Sequence, residues 1–344
     1  MQSYKKNLLN ISLLLALVGL TFYILLQDQD MDEVLMNIRK VQPFFLLLAL
    51  VLALARIYGE AVSIYLLGNS LQKEKIKFWQ CVKYSLGGFF FCAITPSASG
   101  GQPAQIYYMK KDGMSVANSS LVLVLITIIY RGTLLVFGVG ILLFCYNTIY
   151  KNLGLIRFWF LFGMAVNTII VVVFCFLLFS KKIIRWMMEK VIRLLAKLHL
   201  VKRQESFADR CDSVLTRYHK SAAYMKQHKS VMYLVVVINM LQRLLMFAAT
   251  YAIYLGFGLE GESLIHMVLL QSVVAICADM LPLPGGVGAN EQCFISVYRR
   301  IFEAGTIPAM LLVRGVNFYL LAIVSAMLVC GIQILTLHKE NKKV

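Results

Sequence analysis

Four arginines stand inside long apolar runs: Arg56, Arg131, Arg243 and Arg314. Three acids share those surroundings: Glu60, Asp279 and Glu291. A charged side chain at the centre of a bilayer costs roughly 2.5 kcal/mol or more, so these residues must face protein or a polar cavity rather than lipid. A guanidinium presents a planar fork of donors that suits a phosphate. The chemistry within reach is therefore recognition of an anionic group. The acids would serve as counter-charges, as contacts for a cationic headgroup, or as proton carriers. Arg56 and Glu60 lie one helical turn apart, which predicts a local ion pair beside any functional role. For Arg131 and Arg314 no carboxylate lies nearby on the same helix, which points them at a cavity. Asp279 and Glu291 are placed to pair with them or to meet a cationic headgroup.

Two short breaks organise these charges. Residues 95–103 read TPSASGGQP and residues 281–291 read LPLPGGVGANE. Proline removes a backbone donor and clashes with the preceding helical turn, and glycine favours irregular backbone. Inside a bilayer such breaks persist only where protein or a polar cavity surrounds the freed backbone groups. Two of them in matching halves of a membrane protein mark a transport site. Amides left free at the following helix starts also favour anions. The two hairpins and the four arginines would then form one central cavity for an anionic headgroup.

The spacing repeats. Arg56 precedes Gly100 by 44 residues and Arg243 precedes Gly285 by 42, while Arg131 follows Gly100 by 31 and Arg314 follows Gly285 by 29. The order arginine in a span, broken hairpin, arginine in a span thus occurs twice. With the first hairpin opening inward and the second outward, the halves form an inverted repeat, about 7–146 and 158–337 of a single membrane domain.

Composition sets the frame. The 344 residues are 60% hydrophobic and 15% charged, too apolar for a soluble domain. The fold class is an all-α polytopic membrane protein with about six spanning helices plus the two opposed hairpins, each re-entrant or a tight broken helix pair. A run at 8–26 reads as an uncleaved first helix, too long for a signal-peptide core. The connection 180–229 holds thirteen Lys or Arg against four acids and is the firmest cytoplasmic stretch. Within it Ile184, Met187, Met188, Val191, Leu194, Leu195 and Leu198 fall at helical spacing, as an interfacial helix or one packed on a neighbour would have them. The remaining loops place both termini in the cytoplasm. The net charge of +17 follows from these basic connections, so nucleic acid is not an expected partner. The eight cysteines include no CxxC pair and the five histidines show no ligand spacing, so neither a disulfide, a metal nor any cofactor is expected. GGVGANE lacks the lysine of a phosphate-binding loop and a strand before it. No nucleophile–base set is present.

TPSASGGQPAQIYYMKKDG, the later Arg131, and LPLPGGVGANE followed by a long last span resemble the lysylphosphatidylglycerol synthase transmembrane region. That is the flippase-like domain of the multiple peptide resistance factor family, and the resemblance covers nearly the whole chain; it implies Thr95, Pro96, Gly100, Gly101, Pro284, Gly285, Gly286 and Glu291, which fall in its motifs, as substrate-binding residues beside the arginines. In that family the membrane domain moves aminoacylated lipid to the outer leaflet, and it is often fused to a cytoplasmic domain that transfers lysine from lysyl-tRNA to phosphatidylglycerol. The resemblance implies a lipid-headgroup translocase in a bacterial-type cell membrane, acting on phospholipid and contributing to resistance against cationic peptides. The chain ends seven residues after its last span, so the expectation is the translocation half without the transferase. The alternatives are an aminoacyl- or glycosyl-lipid transferase, for which no donor site is found, and a membrane partner of a separate lipid-modifying synthase. A homo-oligomer is compatible with either.

Overall fold

A computed structural model describes residues 23, 31–72, 74–144, 154, 156–179, 190, 215–216, 218, 220–281 and 283–341. Every regular element among them is helical, as the apolar runs predict: the chain is an all-α, multi-pass membrane protein. The helices are α1 (Met31–Lys40), α2 (Pro43–Leu71), α3 (Phe78–Ile94), α4 (Gly101–Lys111), α5 (Val116–Phe144), α6 (Ile156–Phe179), α7 (Lys229–Gly256), α8 (Leu264–Asp279), α9 (Ala289–Phe302), α10 (Thr306–Arg314) and α11 (Leu320–Asn341). Five stretches of the described residues are long and apolar enough to cross a bilayer. The fifth, Pro284–Ile332, is interrupted by the second break and by a π turn at Gly315–Tyr319. The expected first span at 8–26 and the amphipathic stripe at 184–198 fall outside the described residues, apart from Tyr23 and Lys190. Met31–Lys40 is a short helix outside the spans: Asp32 and Glu33 start it and Arg39 and Lys40 end it, each complementing the helix dipole.

Two spans form the spine. Proline at the first helical position starts α2, whose 29 residues reach about 43 Å, longer than the roughly 30 Å of bilayer hydrocarbon. It lies against α7 along its length. Gln42 N donates to Gly256 O at 3.0 Å, Gln242 Nε2 to Arg56 O at 3.0 Å, and Asn239 Nδ2 to Ser63 Oγ at 3.0 Å. Partners descend α2 as they climb α7, so the two helices are antiparallel. Gly59 lets them approach, because a Cβ there would fall 2.7 Å from Gln242 Oε1.

Each break folds its flanking helices into a hairpin that returns to the end where it began. Asp112, at the end of α4, accepts from Lys83 and from Tyr84 Oη (2.7 Å), both in the second turn of α3. Tyr298 Oη near the end of α9 donates to Met267 O near the start of α8 at 3.0 Å. The first hairpin opens beyond the end of α2 and the second beyond the end of α7. Because α2 and α7 run antiparallel, the hairpins open at opposite ends of the molecule, and their breaks meet between them. Each hairpin has its own apolar cluster: Tyr84, Met109 and Leu121 in the first, Val273, Phe294 and Tyr298 in the second. The large apolar side chains left exposed on α5, α6 and α7, such as Phe144, Phe158 and Leu241, face where lipid would lie.

Candidate functional site

The two breaks share a backbone and differ in chemistry. Each is a three-residue turn that starts at proline, Pro96–Ala98 and Pro284–Gly286. In both, the two residues after proline have positive φ: Ser97 at 53° and Ala98 at 54° in the first, Gly285 at 60° and Gly286 at 63° in the second. The glycine pairs that suggested the repeat are therefore not equivalent. Gly285 and Gly286 occupy left-handed backbone, which glycine adopts freely. In the first break two residues with Cβ atoms hold that conformation, at about 1–2 kcal/mol each. Gly100 is right-handed at φ −81° and caps α4. Its partner Gly101 serves close approach, since a Cβ there would lie 2.1 Å from Cys92 Sγ and 3.0 Å from Gly88 O. Thr95 Oγ1 ties the turn together, donating to Phe91 O at 2.5 Å and accepting from Gly100 N at 2.9 Å.

Glu291 is the hub of the second break. It is 1% exposed and sits in the first turn of α9. Its Oε2 accepts from Gly288 N at 2.7 Å, while Oε1 accepts from Arg314 Nε at 2.7 Å and Tyr319 Oη at 3.0 Å. Arg314, 6% exposed, also donates from Nη2 to Gly285 O at 3.3 Å and lies 4.3 Å from the Phe318 ring centroid. Gly285 must be glycine on a second count, because a Cβ would meet Phe318 Cζ at 2.2 Å.

The remaining arginines are held differently. Arg131 Nη1 donates to Asn167 Oδ1 at 2.7 Å and reaches Asp279 Oδ2 at 3.5 Å, so this carboxylate comes from the opposite half of the chain. Arg243, 3% exposed, lies 3.7 Å from the Tyr130 ring centroid and donates from Nη2 to Tyr130 O at 3.3 Å. Arg56 lies 4.7 Å from the Phe89 centroid. The expected Arg56–Glu60 ion pair is not made: Glu60 Oε1 instead accepts from Gln105 Nε2 at 2.7 Å. Among the described residues neither Arg56 nor Arg243 has a carboxylate partner.

All four arginines line one cavity of about 170 Å³ where the breaks meet, together with Asp279, Gly285 and Gly286. A second chamber of about 430 Å³ shares Arg56, Phe89, Cys92, Tyr130, Arg131 and Asp279 with it and adds Glu60, Gln105, Asn239 and Gln242. The two abut along these shared residues, the first basic at the breaks and the second adding a carboxylate and amides. Thr95, Pro96, Gly100, Gly101, Pro284 and Glu291 shape their walls from behind rather than line them. Sequence reasoning missed Asn167, Tyr130 and Gln105. An asparagine inside the apolar run of α6 was a usable signal, whereas Tyr130 and Gln105 stand out only once the helices are packed.

The fold and this site define a class: a polytopic helical membrane protein with two oppositely opening broken hairpins around a charged cavity. The chain matches the family described as lysylphosphatidylglycerol synthase TM region over residues 8–325, nearly its whole length, and it belongs to that family. It is thus a membrane protein related to lysylphosphatidylglycerol synthesis. No curated protein matches the chain.

Proposed function

We propose that the protein moves the headgroup of an anionic or aminoacylated phospholipid, such as lysylphosphatidylglycerol, between the leaflets of a bacterial-type cell membrane. One observation carries the reading: four arginines, two from each half, line a single cavity at the meeting of two hairpins that open at opposite ends. Arg56 and Arg243 stack on aromatic rings without an acid partner, so an incoming phosphate would be their first anion. Family membership supports the lipid class. The open end of the first hairpin carries Lys75, Lys77, Lys110 and Lys111 and faces the cytoplasm by the positive-inside rule, whereas Glu260, Glu262 and Glu303 mark the other end.

The test is leaflet exchange of headgroup-labelled phosphatidylglycerol and lysylphosphatidylglycerol in proteoliposomes. Each charge-assisted hydrogen bond is worth about 1.5–3 kcal/mol. Replacing Arg56 and Arg243 together by alanine should therefore slow exchange at least tenfold while the protein still elutes as a folded species. Undiminished exchange of both lipids by that variant would refute the reading.

A further inference from the structure

Of the three acids embedded in the membrane region, two are already compensated. Asp279 faces Arg131 and Glu291 holds Arg314. Glu60 is different. It is near the middle of α2, lines the larger chamber, and has one hydrogen bond, from the neutral amide of Gln105. Among the described residues no cation lies within ion-pairing distance of it. Arg56, on its own helix, is turned onto Phe89. The other titratable groups around it are Cys92 from α3, Tyr130 and Arg131 from α5, Arg243 from α7 and Asp279 from α8. Tyr319 of the π turn is engaged with Glu291. A second observation is independent of this one. Gln242, on the wall of the same chamber, donates its amide nitrogen to Arg56 O but leaves Oε1 buried without a donor. That oxygen is an acceptor still open on the wall of the chamber that Glu60 lines.

We propose that Glu60 is a proton-binding site, taking up one proton as an anionic headgroup enters the cavity and releasing it as the headgroup leaves. The inference rests on the translocase reading. An ionised Glu60 repels the phosphate that Arg56 and Arg243 attract, so headgroup binding and protonation favour each other, and the linkage is reciprocal. The step is simple in its balance: a carboxylate oxygen gains an O–H bond to a proton from water on the open side, and that bond breaks to water on the other. One negative headgroup and one proton cross together. Movement is then electroneutral and follows the pH difference instead of the membrane potential.

The experiment uses the whole protein in phosphatidylcholine vesicles holding a trace of headgroup-labelled phosphatidylglycerol. Exchange at equal pH reads the translocase activity, and the steady-state leaflet ratio under an imposed pH difference reads the coupling. With one proton per headgroup, one pH unit should move the ratio about tenfold toward the leaflet on the alkaline side, and a voltage at equal pH should leave it unchanged. Glu60→Gln keeps the acceptor for Gln105 and the side-chain volume; its ratio should follow voltage and ignore pH. Calorimetric titration with short-chain phosphatidylglycerol in buffers of different ionisation enthalpy should count about one proton taken up by the wild type and none by Glu60→Gln. A wild-type ratio that ignores pH, or a Glu60→Gln protein that still takes up the proton, overturns the inference while leaving the translocase standing. No exchange by the wild type at equal pH overturns both.

Discussion

Glu291→Gln is a near-isosteric change whose consequence can be worked out atom by atom. Both carboxylate oxygens of Glu291 accept: Oε2 from Gly288 N, Oε1 from Arg314 Nε and Tyr319 Oη. A glutamine amide has one acceptor and one donating end. With its oxygen toward Arg314, the NH2 group faces the Gly288 N–H; with its oxygen toward Gly288, it faces the guanidinium. Either orientation sets donor against donor and leaves Arg314, 6% exposed, without a counter-charge. Breaking a buried pair by removing one partner costs about 3–5 kcal/mol. Arg314 keeps Gly285 O and the Phe318 ring, which puts the loss at the low end, about 3 kcal/mol. For a chain of this size that corresponds to roughly 4 °C in melting temperature. The assay is thermal unfolding of the detergent-solubilised protein by size-exclusion fluorescence, run on Glu291→Gln, Arg314→Met and Glu291→Met combined with Arg314→Met. The paired apolar replacement should recover more than half of the loss, since it leaves no buried charge. A Glu291→Gln protein melting within 1 °C of wild type would refute the hub.

Three further outcomes follow from the breaks. Ala98→Gly should raise stability by about 0.5–1 kcal/mol, because relief of the left-handed backbone exceeds the entropy glycine adds to the unfolded chain; a lowered melting temperature would contradict the strain. Gly101→Ala should lower stability by about 1–3 kcal/mol through overpacking against Cys92 and Gly88. Adding Cys92→Ala should recover part of that loss, and no recovery would place the clash elsewhere. In a cysteine-free background, Lys110→Cys and Ala304→Cys, both exposed at hairpin ends, should react with impermeant maleimide from opposite faces of the membrane; reaction from one face would end the inverted arrangement.

The helices and their charges were legible because bilayer physics leaves few options. An apolar run of this length is a span, a proline–glycine break is a hairpin tip, and an arginine between them must face inward. Spacing alone brought Arg56, Arg131, Arg243 and Arg314 to one cavity. Pairings were not legible, because they depend on which faces of the helices meet. The i,i+4 spacing of Arg56 and Glu60 permits an ion pair, but Phe89 and Gln105 from the first hairpin take the two side chains as partners instead. The glycine doublets misled for a different reason. Gly100–Gly101 and Gly285–Gly286 look alike as letters, yet one pair answers to close packing and the other to positive φ, and only coordinates separate those demands.

The inverted repeat shares its backbone between halves but not its acids, and that asymmetry bears on how the molecule moves. Aligning the starts of α4 and α9 sets Pro103 opposite Glu291, and aligning the ends of α3 and α8 sets Ile94 opposite Asp279. The first half therefore has no carboxylate at either matching position, and Arg131 reaches across to Asp279, whereas Arg314 is fastened to Glu291 within the second half. The internal pair is buried and 2.7 Å long; the crossing pair is 3.5 Å long and partly exposed, at 22% and 32%. An exposed pair of that length is worth about 1 kcal/mol or less. Arg243, the other crossing arginine, holds Tyr130 O at 3.3 Å with no charge on the far side. Of the two ion pairs at the breaks, the strong one thus lies within the second half and the weak one between halves. A motion that parts Arg131 from Asp279 would leave Arg314 and Glu291 paired.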